Sequence, residues 1–313
     1  MLAFALRRAG SGLTLVLVIS VLAHTLLALP DPDVGRQLLG PAAPQELVDE
    51  HNAALGLDRP LAVRYADWLA AAVRFDLGHS WFTNESVTQS LANRLPVTLS
   101  LMGGVTLVTA VVSFVLGVWA GVRRGAVDSA VQAVGVIGYA LPSFLITLIM
   151  VIVFAVQLGW FPAVGYTPPG VSLTGWLSTI TLPVLALSVP AVAGVSQQVR
   201  SSVIDVLGRD HVRTLRARGL PFPRVVFRHV LRGAATPALT VLAMQFVGML
   251  GGAVIVEQIF GLPGIGAMTV QYTTRGDIPV IMGVVMVSVL VVVVVNLLVD
   301  VLVAWLNPKA RLS

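Results

Sequence analysis

Six separate stretches of about 20 apolar residues decide most of what this chain can become. They fall at approximately 9–29, 97–122, 133–158, 180–199, 236–256 and 280–306. A helix rising about 1.5 Å per residue needs roughly 20 such residues to cross the hydrocarbon core of a bilayer. Charge scarcity points the same way. Only 11% of residues are charged and 56% are hydrophobic, whereas a soluble domain carries about 25% charged residues. So few charges cannot coat a globule of 313 residues, and lipid is the solvent that remains. The expected fold is all-α: a polytopic membrane bundle of six transmembrane helices. The first stretch follows Arg7-Arg8, as a secretory signal would. Its apolar part exceeds the usual length of about 7–15 residues, and no small-x-small cleavage site precedes Pro30, so it reads as a retained helix.

Arginine placement orients the bundle. With six spans both termini share a side, and that side receives 14 of the 20 Lys/Arg residues. Arg7, Arg8, Arg123, Arg124, Lys309 and Arg311 are among them, with eight arginines between Arg200 and Arg232. The opposite side receives six, and its segment 30–95 also carries nine acids. The arginine-rich side is therefore read as cytoplasmic. Topology accounts for the net charge of +5, and no nucleic-acid partner is implied. The chain divides into an N-terminus with helix one (1–29), an extracytoplasmic segment (30–95), a transmembrane core (96–306) with a cytoplasmic loop at 200–232, and a cytoplasmic tail (307–313).

Two soluble segments are too long to be simple connectors. In the outer one, 45–55 reads as a helix broken by Gly56-Leu57-Asp58-Arg59-Pro60. A second helix starts near Leu61, with Leu61, Tyr65, Trp68, Leu69 and Ala72 on one face. That face suits either the bilayer interface or packing against protein. In the cytoplasmic loop, 202–207 and 210–218 read as short helices meeting at a bend near Gly208. Asp210 is a candidate N-cap, and Gly219 a left-handed C-cap with Pro221 enforcing the stop. The arginines here can anchor orientation against anionic membrane lipid or present a docking site for a protein.

Asp210-His211-Val212-Arg213-Thr214-Leu215-Arg216-Ala217-Arg218-Gly219-Leu220, then Arg224-Val225, Arg228-His229-Val230-Leu231-Arg232 and Pro237, resembles the cytoplasmic loop of ABC importer permeases. The likeness is to the first membrane subunit of the dipeptide/oligopeptide/nickel group. It extends through Gly56–Pro60 with Arg64-Tyr65, Asp76-Leu77-Gly78, Arg94-Leu95-Pro96-Val97-Thr98-Leu99, Gly251-Gly252 through Phe260, Pro263-Gly264-Ile265-Gly266 and Asn296–Asp300. Departures are His211 for an aromatic, Leu215 for Ala, Gly233 for Asn, Pro30-Asp31-Pro32-Asp33 for Pro-Gly-Asp-Pro, and Asn307-Pro308-Lys309 for Asp-Pro-Arg.

The resemblance implies the type I ABC importer permease fold and a subunit that forms half of a translocation path. Its partners would be a second homologous permease subunit in a heterodimer, two ABC ATPase subunits and an extracytoplasmic solute-binding protein. It would bind no cofactor itself, with ATP and Mg held by the ATPases. The coupling segment would comprise Asp210, Arg213, Thr214, Leu215, Arg216, Ala217 and Gly219. On the fifth stretch, Gln245, Gly248, Gly252 and Glu257 are the candidates for the path or its gate. The implied solute is a di- or oligopeptide, with a nickel chelate or another small solute as the alternative, and the implied home is a bacterial cell membrane.

Catalytic chemistry is missing from the sequence. There is no cysteine, no Gly-x-x-x-x-Gly-Lys-Ser/Thr phosphate loop and no ligand-like spacing among His24, His51, His79, His211 and His229. Gly261–Gly266 is glycine-rich, but Pro263 makes it a turn. Asn84-Glu85-Ser86 matches a glycosylation triplet that is common by chance. Of the charges, Asp300 alone lies inside a proposed span, and Glu257 stands at a span end, where Arg94 or Arg275 could pair with it. Asp300 reads as a structural partner of a backbone group or an arginine. Gly135, Gly138, Pro142, Pro183, Pro190, Gly194, Gly248, Gly251 and Gly252 suit either bending or static close packing. An ion-coupled secondary transporter would call for midplane carboxylates and internal repeats. An intramembrane enzyme would call for a nucleophile–base pair, and the chain offers none.

Overall fold

The structure, a computed structural model, describes residues 2–29 and 34–306. The departures at 30–33 and the tail at 307–313 lie outside the described residues. In chain order the helices are α1 (Leu2–Ala28), α2 (Val34–Leu39), α3 (Gln45–Ala54), α4 (Leu61–Ala72), α5 (Val87–Arg123), α6 (Gly125–Ala140), α7 (Ser143–Met150), α8 (Leu173–Leu207), α9 (Asp210–Ala217), α10 (Phe222–Val225), α11 (Leu231–Ile259), α12 (Ile265–Thr273) and α13 (Ile278–Leu306). A π-helical stretch, Val151–Gln157, continues α7, and another, Val226–Val230, joins α10 to α11. Among the described residues the sole extended pairing is an antiparallel bridge between His79 and Ser86.

Among the described residues, five helical runs are long and apolar enough to cross a membrane: 7–28, 87–123, 173–207, 222–259 and 278–306. The third expected span is different. At Leu141-Pro142 the chain bends by 98° between α6 and the arm formed by α7 and its π extension. Proline lacks an N–H and pushes the residue before it out of the helical region. Leu141 is extended (φ −79°, ψ 126°) and Pro142 opens the next helix as its N-cap. The stretch 133–158 is thus an elbow, not a straight span. A second correction concerns 202–207, which is no separate short helix but the final turns of α8.

The described chain forms two compact units. One comprises 6–96 and 268–293. Its α1 buries Gly12, Val16, Ser20 and His24, four residues apart and therefore on one slowly drifting stripe. A Cβ at Gly12 would come within 2.5 Å of Val293, so the glycine permits a close crossing. Ser20 shares a 2.8 Å hydrogen bond with the Tyr65 hydroxyl, and the His24 ring lies 5.5 Å from that of Tyr65. Tyr65 thereby brings the amphipathic face of α4 to α1. Val34 and Val48 are fully buried where α2 meets α3, and Asn52 accepts from the Gly35 N–H at 2.7 Å. The buried Asp277 just before α13 accepts from the Ser80 hydroxyl.

The other unit contains the start of α1 (2–5), 97–267 and 294–306, with α8 at its centre. α6, α7 and α11 all pack on α8. α5 approaches α8 through Gly104, Gly117 and Gly121, where a Cβ would stand 2.7 Å from Val184, 2.6 Å from Val199 and 2.9 Å from Val203. Small residues of this kind bring membrane helices together where lipid supplies no hydrophobic drive. α6 joins α8 through a forked pair: Arg200 donates through Nη2 to Asp128 Oδ2 at 2.6 Å and through Nε to Oδ1. Both residues lie within helices, just outside the expected stretches 133–158 and 180–199. Asp300 itself is half-buried on α13 and partnered.

Candidate functional site

The turn between α8 and α11 presents the most sharply built polar surface. α8 ends at Gly208. Arg209 takes the N-cap position of α9 with extended backbone (φ −74°, ψ 146°), which corrects the expectation that Asp210 caps this helix. Asp210 is instead its first residue, where a carboxylate still favours the positive helix end. The C-terminal expectation is met in full. Gly219 has φ +79°, a conformation costly to any residue with a Cβ. Its N–H donates to the Arg216 carbonyl at 2.9 Å, and the Leu220 N–H to the Leu215 carbonyl at 3.3 Å. Together these two bonds close a Schellman cap.

Only one edge of α9 is fastened. Val212 is 1% exposed and joins Val199, Val203 and Val206 of α8 and Val225, Val230 and Ala234 at the start of the α11 run. Leu215, three residues further along the same face, and Leu220 pack against that cluster. The remaining side points out: Asp210, His211, Arg213, Thr214, Arg216, Ala217, Arg218 and Gly219 are all exposed. Leu215 therefore fastens the helix, while the other coupling residues named from the sequence face outward. Arg213 reaches Asp210 at only 3.4 Å, with both side chains largely solvated. The Arg216 guanidinium lies 5.5 Å from the centre of the Phe222 ring. These groups are free to meet an external surface.

The four path or gate candidates have different immediate neighbours. Gln245 is half-buried and brings its amide against Gly194, whose absent side chain leaves the room it needs. Gly248 faces open space, and Gly252 lies 3.1 Å from Leu187 when a Cβ is imagined on it. Glu257 is fully buried. Its Oε1 accepts from the Thr98 hydroxyl at 2.7 Å and its Oε2 from the Ala267 N–H at 2.9 Å. Thr98 accepts in turn from the Ile265 N–H at 2.9 Å. Both N–H groups belong to the first turn of α12, whose donors have no partner within the helix. The expected arginine gives way here to a helix cap made of one carboxylate and one hydroxyl.

Gly264 and Gly266 explain the glycine-rich loop. A Cβ at Gly264 would collide with the Glu257 carboxylate, and one at Gly266 would stand 2.7 Å from the Val254 backbone and 2.9 Å from Oε2. The loop is a seat for Glu257. Sequence reasoning missed this pairing, along with Asp277–Ser80 and Asp128–Arg200. A legible signal existed for Asp277, since Gly276-Asp277-Ile278-Pro279 has the pattern of a helix start.

The chain has close relatives among known transporters. Residues 113–312 match the family model described as the binding-protein-dependent transport system inner membrane component, and residues 1–102 match the N-terminal model of such components. A putative peptide transport system permease protein of Brucella abortus is 35% identical over 99% of each chain. A probable peptide ABC transporter permease protein of Sinorhizobium fredii is 34% identical over 98% of this chain and 99% of its own. The oligopeptide transport system permease protein AppB of Bacillus subtilis is 33% identical over 99% of each. The MetNI methionine ABC transporter, solved in inward-facing conformations, shares the fold. Its TM-score is 0.57 at 17% identity, over 69% of this chain and 96% of that one.

Proposed function

Because this chain belongs to the family of inner membrane components of binding-protein-dependent transport systems, we propose that it is the permease subunit of an ATP-driven peptide importer, coupled to its motor through α9. Its relatives named as peptide permeases along nearly their whole length support the substrate class. The chain is a transporter subunit. Hydrolysis, with its ATP and Mg, belongs to two ATPase subunits, and a second homologous permease completes the path as a heterodimer. An extracytoplasmic binding protein delivers the peptide. With the bent pair of α6 and α7 counted as one crossing, both termini and α9 face the cytoplasm of a bacterial cell, in keeping with the arginine bias.

One observation carries this reading: α9 offers a solvated polar face while its apolar edge is locked into the ends of α8 and α11. A push on such a helix cannot be absorbed locally, because the valine cluster joins all three pieces into one close-packed body. Closure of the ATPase pair then moves α9, and the flanking helices move with it. The helix works mechanically and does no chemistry. Charge reversal at Arg213 and Arg216 tests the assignment. The expected result is loss of ATP-driven peptide uptake, and of ATPase co-purification, at unchanged permease abundance. Wild-type uptake by the double variant would overturn it.

A further inference from the structure

A second built feature lies on the same unit, away from α9's exposed face. The end of α13, the start of the α11 run and the middle of α5 border an open groove of about 600 Å³, a size suited to a specific ligand. Arg228 and Arg232 line it together with Phe114, Phe227, Trp305 and Leu306. The arginine fork of residue 232 is oriented by its Nε–H, which donates to the Leu306 carbonyl at 3.2 Å. Two aromatics stand open at its edge, Phe227 at 72% and Trp305 at 67% exposure.

The chemistry is split by depth. Phe114 comes nine residues before the end of α5 at Arg123, so this lining residue lies about 13 Å from that end of the helix. The guanidinium groups belong to the polar end of the α11 run, and Trp305 marks the last turn of an apolar span, where amphipathic rings settle at headgroup level. A soluble acidic partner would meet the arginines but gain little from the apolar side chains of Phe114, Phe227 and Leu306 beside them. A molecule with a negative head and a hydrocarbon body meets both. We infer that this groove holds an anionic phospholipid, with Arg228 and Arg232 on its phosphodiester and an acyl chain running along Phe114. Arginine suits the role because its planar fork matches phosphate oxygens. The site would seat one defined lipid against the element that leads from α9 into the bundle.

Native mass spectrometry of the full-length chain in detergent, titrated with phosphatidylglycerol or phosphatidylcholine, tests this. Wild type is expected to retain one phosphatidylglycerol in preference to phosphatidylcholine. The double variant Arg228→Gln/Arg232→Gln should bind it about thirtyfold more weakly, Arg228→Lys/Arg232→Lys should keep most of the affinity, and Arg74→Gln should change nothing. Should the glutamine variant misfold, a second measurement stands on folded protein. Phosphatidylglycerol brominated on its acyl chains should quench wild-type tryptophan fluorescence more than that of Trp305→Phe. Equal retention of both lipids, unchanged binding by a folded glutamine variant, or no quenching difference at Trp305 would each overturn the inference. So would displacement of the lipid by inorganic phosphate or by an acidic peptide alone. Lipid retention is read without transport, so these outcomes do not depend on the ATPase-coupling assignment.

Discussion

The two ends of α11 handle charge in opposite ways. Before it, α9 buries Val212, half-buries Leu215 and turns its arginines and Asp210 to solvent. After it, the loop 260–267 buries a carboxylate completely and surrounds it with a hydroxyl, an N–H group and two glycines. A charge left in water costs little and contributes little to folding. A buried one is tolerated only when its partners are in place. The first arrangement keeps polar groups available to something outside the chain. The second spends them on fixing a loop. Removing a charge should therefore harm partner recognition at one end and folding at the other.

Glu257→Ala gives the sharpest break in that contrast. It leaves the Thr98 hydroxyl and the Ala267 N–H without an acceptor in a site closed to water. A loss on the order of 3 kcal/mol is expected, visible as a lower melting temperature of the purified protein in detergent. Gly264→Ala attacks the same seat from the other side, since its methyl group needs the space the carboxylate occupies. A cost of about 1–3 kcal/mol is expected in the same assay. At the α9 end, Gly219→Val forces a β-branched residue to φ +79°. That should cost about 1–2 kcal/mol and lower uptake by disturbing the cap that sets the helix's exit. Arg213→Glu is the smallest change for folding, within about 0.5 kcal/mol of wild type. Uptake should nevertheless fall sharply. A melting temperature for Arg213→Glu as low as that of Glu257→Ala would erase the distinction between the two ends.

The straight rods were legible because hydropathy over 20 residues needs no knowledge of neighbours. The cap of α9 was legible for a similar reason: Gly219 and Pro221 stop a helix through local backbone sterics. The elbow was not. Pro96, Pro183, Pro190 and Pro237 all stand inside unbroken helices, whereas Pro142 divides two. Which proline breaks a helix depends on packing around it, and α8 supplies that packing here. Glu257 was singled out in the sequence but given the wrong kind of partner. An arginine is the obvious counterion in a list of residues, while the N–H groups that serve instead belong to every residue and carry no signature. Asp277 and Ser80, 197 positions apart, meet only once the chain has folded. The path candidates Gln245, Gly248 and Gly252 shared a helix in the sequence, yet they point into different surroundings.

The elbow at Leu141-Pro142 also bears on how the protein reaches its place during synthesis. Its arms contain 16 residues on one side and 8 plus 7 on the other, so neither is long enough alone to traverse hydrocarbon about 30 Å thick. Emerging from the ribosome, this piece cannot be released into lipid as a finished rod. Both arms pack on α8, so their seat is complete only once its 35 residues have followed them out. The order of residues along the chain thus sets a schedule for biogenesis, in which the bent element is translated before the scaffold that seats it.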